Sequence, residues 1–149
     1  MSDSQERLKA ARRRLAKSAD EVASAAGIST PSYYDLEMVD GEIESGLSLQ
    51  ALVRLCSELR ILPGDLFGSG TTRDKISMEG LVVRIKKHLE EDQIGMSDFE
   101  ARVGFEIRRC LEDPLSILEW DIECLQSVCK ELSVNWMSVL EGMATSEPG

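Results

Sequence analysis

Apolar residues in this chain return at helical spacing almost from end to end. The clearest run is Leu49, Leu52, Val53, Cys56 and Leu59, an i, i+3, i+4, i+7 stripe with one further turn. Only a helix gathers such a stripe onto one face. The same spacing predicts helices over residues 5–17 (Leu8, Ala11, Leu15), 19–26 (Val22, Ala23, Ala26), 63–67 and 78–91 (Leu81, Val82, Ile85, Leu89). Another follows Gly27 and turns Tyr33 and Leu36 inward. Gly27 is a natural site for a positive φ, Ser29 or Thr30 can cap the helix after it, and Pro31 fits its first turn. Ser48 is the cap expected for the Leu49 helix, and "MVDGEIESG" (38–46) reads as a loop. With no strand signal, the expected fold is all-α, built from small helical bundles.

The pattern then begins again. "GSGTTRD" (68–74) has linker composition. Beyond it, Val22 corresponds to Phe99 and Gly27 to Gly104 at an offset of 77, while "LVRLCSELRI" (52–61) matches "LQSVCKELSV" (125–134) at an offset of 73. Ser48 pairs with Asp121 as a capping residue. An internal duplication is expected, with one helical domain over 1–69 and a diverged copy over 70–149.

Composition narrows the chemistry. Aromatic residues are only 5% of the chain, so the cores must be mainly aliphatic. The net charge of −10 is the wrong sign for a chain whose main task is holding polyphosphate. Residues 1–72 carry −3 of it and residues 73–149 carry −7. Cys56, Cys110, Cys124 and Cys129 form no CxxC pair and lie far from the single histidine, His88, so no metal site is expected; three of the four fall at apolar helical positions, and buried, reduced thiols are the expectation. His88 reads as an exposed spectator on a polar helix face. Trp120 and Trp136 fall at helix starts and read as packing residues. No apolar leader or run of 18 apolar residues is present, so a soluble, cytoplasmic protein away from the membrane is expected. No catalytic constellation stands out, and a non-enzyme without cofactor is the expectation.

The first half resembles the Cro/phage-repressor helix-turn-helix family, the XRE family, over about residues 5–68. Val22-Ala23, Gly27, Ser29, Tyr33, Leu36 and Glu37 carry the likeness, together with "LSLQALVRLCSELRILPGDLF" (47–67). The second half looks like a diverged copy, with Glu100 in place of the helix-2 alanine and Pro114 near the closing glutamate. The resemblance implies a transcription regulator that binds double-stranded DNA, as a homodimer because one such domain covers a half-site. Base contacts would come from Thr30, Ser32 and Tyr34 on helix 3, and phosphate contacts from the basic run of helix 1, Arg12, Arg13 and Lys17 among them. Yet residues 27–37 hold no Arg, Lys, Asn or Gln, so no bidentate base pair of the usual kind can form. The alternative is an acidic protein-binding module on the same scaffold, an antitoxin-, immunity- or anti-regulator-like protein for a basic partner. Arg108 and Arg109, on the second copy's helix 3, are expected to pair locally with Glu106, Glu112 and Asp113.

Overall fold

The computed structural model describes residues 3–68 and 74–146; most of the expected linker lies outside them. All regular structure among the described residues is helical, as expected. The first half holds α1 (Asp3–Arg14), α2 (Ala19–Ala26), α3 (Thr30–Met38), α4 (Glu42–Ser45), α5 (Leu49–Glu58) and α6 (Pro63–Phe67). The second holds α7 (Met78–Glu91), α8 (Met96–Val103), α9 (Arg108–Glu112), a 3₁₀ helix (Pro114–Glu119), α10 (Ile122–Leu132) and α11 (Trp136–Ser146).

Local chemistry explains most of the boundaries. Ser18 and Glu21 form a reciprocal capping box at the start of α2. Gly27, at φ 77°, ends α2, and the Ile28 N–H reaches back to the Ala23 carbonyl at 3.0 Å. Ser29, not Thr30, caps α3 by accepting from the Ser32 N–H at 3.2 Å. Two boundaries differ from the sequence reading. Helix α1 stops at Arg14, because Ala16 turns left-handed at φ 53° and the Lys17 N–H closes on the Arg12 carbonyl. The loop expected over 38–46 contains the one-turn α4, anchored by the fully buried Ile43.

The two halves share their turn geometry. Left-handed residues end α1 and α7 (Ala16, Gln93), α2 and α8 (Gly27, Gly104), and α5 and α10 (Arg60, Ser133). Ser48 accepts from the Ala51 N–H at 3.1 Å, and Asp121 accepts from the Cys124 N–H at 2.8 Å. The halves part company after the second glycine turn. Where α3 runs nine residues, α9 runs five and gives way to the 3₁₀ helix at Pro114.

One contiguous core joins the halves. Helix α11 packs on α5 and α6, α10 on α4, and the 3₁₀ helix on α5. Trp136 meets Phe67 edge-on at 5.4 Å, and Trp120 meets Phe105 at 5.1 Å, so both tryptophans pack as expected. The Leu49 N–H, a donor that α5 cannot satisfy internally, bonds the Trp120 carbonyl at 2.7 Å. Gly142 is the closest backbone approach: a Cβ there would stand 2.3 Å from the Ile76 carbonyl oxygen.

Candidate functional site

Helix α3 has a buried and an open side. Tyr33 and Leu36 face the core with Glu37, while Pro31, Ser32, Tyr34, Asp35 and Met38 face solvent. Three of the six large apolar side chains most exposed among the described residues lie here: Tyr34 at 52%, Met38 at 66% and Val39 at 46%. They form an apolar strip rather than isolated residues.

Along the sequence that carries this strip, charge has one sign. From Ser18 to Val53, the stretch that builds α2, α3 and α4, there are seven carboxylates and no Lys or Arg. One of the seven, Glu37, is neutralised from outside the stretch. Arg12 on α1 holds it in a two-pronged pair, Nε to Oε2 at 2.7 Å and Nη2 to Oε1 at 3.0 Å. Burial alone would raise the Glu37 carboxyl; the Arg12 guanidinium more than offsets this and holds it below the usual carboxylate range. The Tyr33 hydroxyl is buried beside this pair without a hydrogen bond of ordinary geometry, and burial pushes its phenol up.

The residues singled out for DNA contact therefore separate. Arg12 is committed to Glu37, and its Nη1 also donates to the Lys17 carbonyl at 3.2 Å. Lys17 is committed to Glu58 on α5. The Thr30 hydroxyl donates to Asp20 at 2.7 Å, and the Ser32 hydroxyl accepts from Ser29 at 2.8 Å. Tyr34 and Arg13 are open to solvent. Of the helix 1 basic run, Arg7, Arg13 and Arg14 are exposed and pair with no carboxylate among the described residues.

The second half shows a related charge lock with different partners. Glu100, at the position of Ala23, accepts from the Ile107 N–H and from Arg108 Nε, both at 2.9 Å. Burial would raise the Glu100 carboxyl, but these two donors hold it below the ordinary range. Arg109 pairs with Glu119 at 2.7 Å. Both arginines thus form ion pairs, but not with Glu106, Glu112 or Asp113: the turn after Gly104 aims Arg108 back at α8, and the 3₁₀ helix brings Glu119 to Arg109. His88 is not an exposed spectator either. Its side chain is 20% exposed, its ring lies edge-on to Phe99, and Nδ1 sits 2.9 Å from Asp92. Cys56, Cys110 and Cys129 are buried; burial pushes the first and last thiols up to about 12 and Cys110 to about 11. No grouping among the described residues could hold a metal ion, and no helix there is long and apolar enough to cross a membrane.

Sequence reasoning missed two features. The Arg12–Glu37 pair joins residues 25 apart on different helices, and only Glu37's spacing of four from Tyr33 hinted at its burial. Reading residues 38–46 as a loop hides the continuity of Met38 and Val39 with Tyr34. Compared with family models, curated proteins and solved structures, the chain matches none.

Proposed function

We propose that this chain is a protein-recognition module on a helix-turn-helix scaffold, and that the α3 face receives a basic partner. The supporting observation is the cation-free stretch from Ser18 to Val53, with Tyr34, Met38 and Val39 exposed at its centre. In DNA recognition this is the surface that would meet a duplex carrying one phosphate charge per about 1.7 Å. Unpaired carboxylates facing that charge repel it, and no side chain of α3 can form the bidentate contacts that discriminate bases. A partner with Lys or Arg around an apolar patch has the opposite requirement: the strip offers apolar area and the rim offers steering. The recurring turns and caps favour reading the second half as a diverged copy that acts as a structural buttress.

A second reading keeps the DNA role. The solvent-exposed Arg13 and Arg14, and the Ser29–Ser32 hydroxyl pair at the start of α3, are the groups that favour it. Fluorescence anisotropy with a labelled mixed-sequence duplex, at 20 mM and 150 mM salt, separates the two. The expected result is no titration at either salt. Duplex binding that disappears in Arg13→Ala/Arg14→Ala would overturn the protein-recognition reading and establish the second.

A further inference from the structure

The chemistry that the α3 face asks of a partner is present elsewhere on this same chain. A groove of about 270 Å³ runs between α1 and α6, lined by Arg7, Ala10, Ala11, Arg14, Ile61 and Asp65. Its floor is apolar, and two arginines that pair with no carboxylate among the described residues stand at its edges. Arg7 and Arg14 are seven residues apart on α1, a rise of about 10 Å. Met38, the last residue of α3, is exposed with Asp35 one turn before it and Asp40 two residues beyond, so an apolar knob with carboxylates on either side in the chain complements an apolar hole whose two guanidiniums, Arg7 and Arg14, outnumber its one carboxylate, Asp65.

The two surfaces cannot meet within one molecule. Helix α1 presents Arg12 to α3 on one flank and the Arg7–Ala10–Arg14 groove to α6 on the other. A contact between them must join two copies, and because it joins unlike surfaces it is heterologous: the pair keeps one free knob on one copy and one free groove on the other. We infer that the chain associates with itself head to tail, the Tyr34–Met38–Val39 strip of one copy seating in the α1/α6 groove of the next. This rests on reading α3 as a protein-docking face and names its occupant. At physiological salt the Debye length of about 8 Å screens the long-range repulsion of two acidic chains, while direct carboxylate–guanidinium contacts persist.

Sedimentation velocity of the full chain at 0.15 M salt tests this, with concentration taken from micromolar to near-millimolar. The wild type is expected to rise above the monomer mass of 16.5 kDa and to return to it at 1 M salt. Met38→Asp removes the knob and Arg7→Glu/Arg14→Glu removes the groove; each variant alone should stay monomeric. Mixed together, each retains the surface the other lacks, so the mixture should form a capped dimer of twice the monomer mass and nothing larger. A fold defect does not reproduce that complementation, and unchanged circular dichroism confirms that both variants are folded. A wild type that stays monomeric at every concentration overturns the inference. So does a wild-type association that both variants retain, or two monomeric variants that fail to combine. These outcomes leave the protein-recognition reading itself to the DNA titration, so the two fail separately.

Discussion

Arg12 and Glu37 show how a single pair decides what a surface can do. Glu37 has a side chain only 4% exposed, so its charge is tolerable only because the guanidinium binds both oxygens. Removing Arg12 leaves that charge buried and alone. Arg12→Ala is therefore expected to lower unfolding stability by roughly 3 kcal/mol in urea titrations, whereas Arg12→Met/Glu37→Leu, which removes both charges, should recover most of the loss. The pH dependence has a definite sign. Glu37 is held below its ordinary value of about 4.5, so its contribution is complete above that pH and is lost as pH falls through the folded value. Wild-type stability should fall more steeply between neutral and strongly acid pH than that of the double variant, which keeps the similar Glu100 lock. Parallel pH slopes would show that the pair contributes nothing to acid sensitivity. The same pair withdraws Arg12 from any phosphate, which the composition of α1 alone did not reveal.

At the scale of elements, the boundaries that sequence reading placed well are those set by neighbours in the chain. Helices α2, α6 and α7 begin and end where expected, because a serine cap, a proline in the first turn or a glycine in the left-handed region acts within a few residues. Ser48 and Asp121 satisfy orphan donors at the starts of α5 and α10. Ser48→Ala and Asp121→Ala should each cost about 1 kcal/mol, seen as a lowered urea midpoint with unchanged slope. An unchanged midpoint would mean that the caps do not hold these ends. Helix α4 was missed for the converse reason: a single turn carries no period, and what holds it is Ile43 in the core. The exposed face of α3 was half legible. Spacing alone placed Tyr34 outside, but the exposure of Met38 and Val39 depends on where α4 and the second half leave room.

For the whole molecule, the shared core predicts one unfolding event. Helix α11 covers α5 and α6, so neither half can open without exposing the other. Thermal unfolding followed by far-ultraviolet dichroism and by tryptophan fluorescence should give coincident single transitions; both tryptophans lie in the second half, so separated transitions would show independent halves. Gly142→Ala should lower the melting temperature strongly, because the added methyl meets the Ile76 backbone, which is no flexible neighbour.

Residue order alone made the local grammar legible: helical period, caps, turn glycines, the repeat offsets and the absence of Arg, Lys, Asn and Gln from residues 27–37. These follow from interactions within a turn or two of chain, where residue identity and spacing suffice. The tertiary structure decided which charges remain available. It assigned Arg12 to Glu37, Lys17 to Glu58 and Arg108 to Glu100, and left Arg7, Arg13 and Arg14 exposed. Ion pairing and burial depend on distances between helices far apart in the chain, and no periodicity encodes those distances.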